Sequence, residues 1–139
     1  MRGTEPTLDF SQRNLDKFDE NDTEKADAYA KVVLSHNNLT EISCMATFAN
    51  LRVLDLRFNN LKRIPKLDQL PKLETIDVSF NAVTSMANLE SKSLLSADVS
   101  FNEMTVLDSF EKLPNLKYLN VSHNRIREVR PVPSKHTVT

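Results

Sequence analysis

The chain of 139 residues has a formal net charge of −1, a hydrophobic content of 40% and a single glycine. This length and composition predict one globular domain with a buried core. The near-zero charge disfavours a surface for nucleic acid or anionic membranes, and the scarcity of glycine disfavours tight hairpins and phosphate-binding loops.

The cysteine and hydropathy patterns limit the expected cellular context. Cys44 is the only cysteine, so an internal disulfide or a cysteine-based metal site is not expected. The N-terminus lacks an apolar segment of signal-peptide length, and no run of about 18 apolar residues occurs. We therefore expect a reducing, intracellular compartment and a cytoplasmic location, with the nucleus as the alternative.

A repeated pattern begins near the N-terminus. Residues 7–18 (TLDFSQRNLDKF) hold a degenerate first copy, and the polar stretch 19–28 (DENDTEKADA) follows as a solvated acidic loop or a small helix. Five regular copies occupy residues 29–130, beginning YAKVVLSHNNL, LRVLDLRFNNL, LETIDVSFNAV, LLSADVSFNEM and LKYLNVSHNRI. A Pro-containing tail, residues 131–139, ends the chain.

Each regular copy alternates apolar and polar residues before a fixed asparagine. Pairs such as Leu54 and Leu56 predict a short strand with one buried face. Stacking the copies would bury these residues together and give a right-handed solenoid with a parallel sheet. One later apolar residue in each copy is predicted to pack under the turn: Ile42, Ile64, Met86, Leu107 and Val129.

The asparagines set the period of the repeat. They are Asn37, Asn59, Asn81, Asn102 and Asn124, spaced by 22, 22, 21 and 22 residues. An amide side chain both donates and accepts hydrogen bonds, so it can satisfy backbone groups that a turn leaves unpaired. A structural role is therefore predicted for all five.

The copies read L-x-x-L-x-L-x-x-N-x-L, which resembles the leucine-rich repeat, from about residue 7 to residue 130. The 22-residue unit resembles the intracellular subclass that includes the regulatory subunit of protein phosphatase-1. The resemblance implies an α/β solenoid of about six coils, with a short parallel sheet on a concave face and 3₁₀ or short helical turns on the convex face. It also implies a repeat domain over residues 1–130.

The end of the solenoid leaves alternatives open. Intracellular members of the family usually finish with a capping motif, and none is recognisable before residue 139. The tail could fold over the last coil, a partner could cover it, or the chain could be a fragment of a longer protein. We favour the fragment.

The sequence offers no catalytic constellation. His36 and His123 both precede an asparagine, but four coils at about 4.8 Å each place them about 19 Å apart, too far for a dyad or a shared metal. No catalytic triad, paired metal motif or glycine-rich loop is visible. We expect no enzyme activity, no metal and no cofactor.

Outward-pointing strand positions form columns because equivalent residues stack. Stacked aspartates repel by roughly 1 kcal/mol per neighbouring pair, which a basic partner would relieve, although aspartate is also common there in the family. The phenylalanines either pack on one another or form an exposed strip of the kind that anchors interfaces. The columns are Val33, Asp55, Asp77, Asp98, Asn120; Ser35, Arg57, Ser79, Ser100, Ser122; His36, Phe58, Phe80, Phe101, His123; and Lys31, Val53, Thr75, Ser96, Tyr118.

The leading interpretation is a non-catalytic, monomeric protein-binding module, an adaptor or regulatory subunit that uses the concave face. By resemblance, the partners include a phosphatase catalytic subunit, tubulin or dynein subunits, and nuclear proteins, with no nucleic acid or membrane. The alternative is a structural docking module of a larger cytoskeletal, ciliary or centrosomal protein, which uses the solenoid end and tail. The predicted contact residues are Val53, Asp55, Arg57, Phe58, Asp77, Phe80, Asp98, Phe101, Tyr118 and His123.

Overall fold

The computed structural model describes residues 5–19, 23–43, 45–108 and 110–130. The expectations for Cys44 and for the tail 131–139 lie outside this part of the chain, as do residues 20–22 of the acidic stretch. The rest of that stretch contains one short 3₁₀ helix, η1 (Ala26–Ala28). None of the helices in the described ranges is long and apolar enough to cross a lipid bilayer.

A strand of the large sheet recurs once per copy, the last two copies each carry a further short strand, and all pairings are parallel. Six strands form one sheet in the order β1-β2-β3-β4-β5-β7, and two form a second sheet, β6-β8. A second 3₁₀ helix, η2 (Phe110–Lys112), lies in a connecting segment. The strands are β1 (Thr7–Asp9), β2 (Lys31–Val33), β3 (Val53–Asp55), β4 (Thr75–Asp77), β5 (Ser96–Asp98), β6 (Val106–Leu107), β7 (Tyr118–Asn120) and β8 (Glu128–Val129).

The core lies between the large sheet and the connecting segments. The central residue of each strand from β2 to β5, and of β7, is fully buried, whereas its two neighbours are less buried and point outward. Each of these central residues pairs with its equivalent in the next strand, as Leu54 does with Ile76. The predicted parallel-strand solenoid with 3₁₀ turns is thereby confirmed.

The residues predicted to pack under the turns differ along the solenoid. Ile64, Met86 and Leu107 are buried, and Ile42 is partly buried against the core. The prediction is wrong for Val129, which is 56% exposed. Its strand, β8, pairs only with β6, and no further coil of the described chain stacks on that side.

The third regular copy, residues 73–93, is one residue shorter than the other copies, and its core differs at one position. In the other coils, the residue three positions before the first leucine of a strand segment is a buried apolar residue: Phe48, Leu70 or Leu113. In this coil the same position holds Ser91. The Ser91 hydroxyl accepts hydrogen bonds from the backbone N–H groups of Ser93 (3.3 Å) and Leu94 (3.0 Å). A tight polar turn therefore replaces the apolar one, and it needs one residue fewer.

The repeated asparagines close each coil and tie it to the preceding one. The amide nitrogen of Asn81 donates to the backbone oxygens of Leu56 and Val78, each at 3.0 Å, and its Oδ1 accepts from the N–H of Leu61 at 2.9 Å. The other four repeat this pattern. One side chain thus satisfies backbone groups that no strand or helix pairs.

We expect Asn81→Ala to lower the free energy of unfolding by about 1–3 kcal/mol, because a buried backbone N–H and two carbonyls lose their partner. The matched control is Asn60→Ala, an exposed asparagine one repeat earlier, which should change stability by less than about 0.5 kcal/mol. Urea unfolding followed by circular dichroism measures both. Equal midpoints for Asn81→Ala and wild type would contradict this role.

Candidate functional site

The side of the six-stranded sheet that points away from the core is here called the sheet face. Val53, Asp55, Asp77 and Asp98 are half-buried on it, and Tyr118 is exposed. The parallel register makes Asp55 the partner of Asp77, and Asp77 the partner of Asp98. Three carboxylates therefore lie on consecutive strands, and we call them the acid row.

Each carboxylate of the acid row also stabilises the turn that follows its strand. Oδ1 of Asp77 accepts hydrogen bonds from the backbone N–H (2.9 Å) and the hydroxyl (2.6 Å) of Ser79. Asp98 does the same with Ser100, at 2.9 Å and 2.6 Å. Asn120 makes equivalent bonds to Ser122. An uncharged amide can thus serve the turn as well as a carboxylate does.

These bonds correct the expectation that Ser79 and Ser100 are available on the surface. Both serines are buried, because their hydroxyls turn back onto the aspartates two residues earlier. The aspartate–x–serine spacing was the signal in the sequence that could have predicted the pairing. These turn bonds leave the second oxygen, Oδ2, of Asp77 and of Asp98 without a hydrogen-bond donor in the described part of the chain.

Arg57 neutralises one end of the acid row. Its Nε and Nη2 donate to the two oxygens of Asp55, each at 3.0 Å, and its Nε lies 3.8 Å from Oδ2 of Asp77. The hydrogen bond to Asp55, then the charges of Asp55, Asp77 and Asp98, raise the pKa of Arg57. The guanidinium thus makes a two-pronged contact with Asp55 and a longer ionic contact with Asp77 on the next strand.

The environment of the middle carboxylate, Asp77, disfavours its charged form. Burial is the main cause that raises the pKa of Asp77, the bonds from Ser79 lower it, and the charges of Asp98 and Asp55 raise it further. The row thus holds three carboxylates against one guanidinium. The face carries a net negative charge at its centre.

Five aromatic rings stack just beyond the ends of the strands. We call His36, Phe58, Phe80, Phe101 and His123 the aromatic ladder. Adjacent ring centroids are 4.4, 4.2, 4.2 and 4.1 Å apart, with interplanar angles of 9–12°. The phenylalanines are nevertheless 38–40% exposed. The two alternatives considered for this column therefore coexist: faces pack on one another, while edges meet solvent.

The backbone of the aromatic ladder adopts an uncommon conformation. All five residues have φ between 55° and 58°, in the left-handed region that favours glycine. A side chain at such a position costs roughly 1–2 kcal/mol per residue. Each stacked aromatic pair returns about 0.5–1.5 kcal/mol, so stacking offsets much of this cost.

Most of the predicted contact residues lie on the sheet face or in the turns that directly follow its strands. Val53, the acid row and Arg57 lie on the sheet face, and the phenylalanines with His123 lie along its border. Tyr118 is on the edge strand β7. His36 and His123 occupy opposite ends of the ladder, with three rings between them. Within the described ranges, no three histidine, cysteine, aspartate or glutamate side chains cluster as metal ligands.

Comparisons with known proteins identify the repeat. The family model for leucine-rich repeats (two copies) matches residues 49–91 and 92–134. No curated protein matches the chain. Among solved structures, the leucine-rich repeat domain of APL1B superposes with a TM-score of 0.64 and 26% identity, over 77% of this chain and 32% of that one.

Two further solved structures share the fold at lower identity. The LRIM1/APL1C complex matches with a TM-score of 0.66 and 22% identity, over 93% of this chain and 29% of that one. The TLR13-ssRNA13 complex matches with a TM-score of 0.65 and 21% identity, over 95% of this chain and 24% of that one. The chain thus spans less than a third of the length of each of the three.

Substitutions at Phe80 should separate ring stacking from backbone cost. Phe80→Ala loses two stacked contacts and keeps a β-carbon at positive φ, so we expect it to lose about 1–3 kcal/mol of stability. Phe80→Gly loses the same contacts but removes the backbone cost, so it should be more stable than Phe80→Ala by about 1 kcal/mol. Urea unfolding of the three proteins tests this order. An alanine variant as stable as the glycine variant would refute it.

Asp77→Asn should make the stability of the protein less dependent on pH. Because the pKa of Asp77 is raised on folding, the folded chain holds that proton to higher pH, and ionisation weakens the fold as pH rises above the ordinary value of 3.8. Asparagine keeps the bonds to Ser79, as Asn120 does to Ser122. The variant should therefore be more stable than wild type at pH 7, by on the order of 0.5 kcal/mol, with no gain below 3.8.

Thermal melts at pH 3 to 7 measure this difference, with the exposed Asp68→Asn as control. A wild type that is more stable than Asp77→Asn at pH 7 would show that the carboxylate is favourable where it lies.

Proposed function

The chain belongs to the leucine-rich repeat family, and from that premise we propose that it is a non-catalytic protein-binding module whose sheet face contacts the partner. Repeat solenoids commonly present such extended surfaces to other proteins. The finer assignment, an adaptor or regulatory subunit of the intracellular 22-residue subclass acting in the cytoplasm, is part of the proposal. The 22-residue spacing and the single cysteine support it.

One observation carries the proposal: exposed large hydrophobic residues concentrate at the sheet face. Phe58, Phe80, Phe101 and Tyr118 are 38–45% exposed, and all four lie on this face or along its border. Val129 is the other exposed large hydrophobic residue of the described chain. Exposed aromatic residues are enriched at protein interfaces and often anchor them.

The charge of the same surface favours a protein over a nucleic acid. One structure that matches the fold is a complex with single-stranded RNA, which makes RNA the alternative ligand class. The acid row would repel phosphates, since its three carboxylates face a single arginine. The overall charge of −1 supplies no compensating field. A partner protein with a basic, partly apolar surface fits better.

Affinity capture with sheet-face variants tests the proposal. Val53→Lys combined with Tyr118→Lys places two charges on the face without removing a described side-chain hydrogen bond. We expect the captured partner to bind at least about tenfold more weakly, because two long cationic side chains would repel a basic partner and keep its apolar side chains off the face. The matched control is Thr84→Lys with Glu111→Lys, two exposed positions in connecting segments, which should leave binding unchanged.

A third variant separates this proposal from docking through the chain end. Deleting residues 131–139 should leave capture intact if the sheet face is the binding surface. Capture that survives the sheet-face substitutions but is lost on the deletion would overturn the proposal, and would favour a docking module that uses its tail. Thermal melts of all variants confirm that the fold is retained.

A further inference from the structure

We propose that the sheet face recognises an arginine of its partner, whose guanidinium docks between Asp77 and Asp98 while a neighbouring apolar side chain covers the edges of Phe80 and Phe101. This inference rests on the proposed function and specifies the chemistry of the partner. Its experiment uses a defined peptide, so that the two can fail separately.

Arg57 shows what a guanidinium does on this surface. It spans β3 and β4, pairs with both oxygens of Asp55 at 3.0 Å, and approaches Oδ2 of Asp77 at 3.8 Å. The parallel register repeats this pair of carboxylates one strand further on, where Asp77 is the partner of Asp98. A guanidinium above that second pair would therefore meet carboxylates on two adjacent strands, as Arg57 meets Asp55 and Asp77.

The chain does not supply a guanidinium of its own there. Ser79 and Ser100 occupy the positions equivalent to Arg57 in the next two coils, and both are short and buried. Their bonds use Oδ1 of each aspartate and do not involve Oδ2. No group in the described part of the chain donates a hydrogen bond to Oδ2 of Asp98, and Asp77 Oδ2 has only the 3.8 Å approach of Arg57.

The aromatic ladder determines what can accompany the arginine. The ring faces of Phe80 are covered by Phe58 and Phe101 at 4.2 Å, so a cation cannot stack on them. The exposed ring edges carry the positive part of the quadrupole, which suits apolar atoms and not a second cation. An apolar residue beside the arginine can cover these edges, so the partner segment combines one guanidinium with one or two apolar side chains.

Arginine fits this site better than lysine does. The two free oxygens belong to carboxylates on adjacent strands, which are about 4.8 Å apart. The planar, forked guanidinium can donate to two such oxygens at once, whereas an ammonium acts as a single point charge. Arginine should therefore bind more tightly than lysine, and citrulline, which has the same shape without the charge, should bind least.

The experiment is a titration of ¹⁵N-labelled protein with the capped pentapeptide acetyl-Ser-Leu-Arg-Leu-Ser-amide, followed by amide chemical shifts. We expect shifts centred on Ser79, Phe80, Ser100 and Phe101, with affinity in the order arginine, lysine, citrulline at the central position. Citrulline or lysine peptides that bind as tightly as the arginine peptide would overturn the proposal, as would shifts confined to the connecting segments.

Two variants place the guanidinium site. Asp98→Asn keeps the turn, as Asn120 does, and should weaken the arginine peptide on the order of threefold or more. Ser79→Arg copies Arg57 one coil further on, so it should fold normally and block the peptide by occupying the site. Asp68→Asn, an exposed acid in a connecting segment, should bind like wild type. Unchanged binding by both Asp98→Asn and Ser79→Arg would overturn the assignment.

Failure of this inference is distinguishable from failure of the proposed function. If the peptide does not bind while affinity capture still depends on Val53 and Tyr118, the arginine site is wrong and the protein-binding face stands. If the peptide binds at Asp98 while capture ignores the sheet-face substitutions, the site is supported and the proposed function is wrong.

Discussion

The whole structure depends on the repeated asparagine, whose side-chain amide bonds backbone groups that no strand or helix pairs. Strands of three residues cannot pair most of a 22-residue coil, so each turn would bury unpaired backbone groups. The asparagine of each coil supplies a donor to two successive coils and an acceptor to the earlier one, as Asn59 does for Leu34, Leu56 and Leu39. Because these backbone groups are hydrogen-bonded, the leucines can pack in a core without water.

The asparagine turn also shapes the surface. To bring the amide inward, the preceding residue adopts positive φ, and its side chain projects from the same place in every coil. Aromatic rings at this position meet at about 4 Å and stack. The aspartate at the end of the strand bonds the backbone of the same turn. The turn that holds the scaffold together therefore also determines where the side chains of the candidate binding surface lie.

The sequence was sufficient for features that depend on periodicity. The alternation of Leu54 and Leu56 and the spacing of Asn59 and Asn81 predict strands, register and solenoid, because both recur in every coil. It was insufficient where a side chain could point either to solvent or to a neighbouring residue. Ser79 was predicted to point outward, but its hydroxyl bonds Asp77 and the residue is buried. The prediction also failed at the last described coil. The apolar pattern predicts a buried Val129, but no further described coil packs against it, and it is exposed.

The asparagine bonds make the two ends of the solenoid unequal in the cost of local opening. Each asparagine side chain bonds the backbone of the coil before it. When the first coil opens, the Asn37 side chain loses its bonds to the N–H groups of Arg13 and Leu15, and those two groups leave with the opened coil. Loss of the last coil instead strips Asn124 from the backbone of Val99 and Met104, which belong to the coil left behind. Local opening from the N-terminal side therefore costs the remaining coils less, and amide hydrogen exchange should be faster there than at the other end.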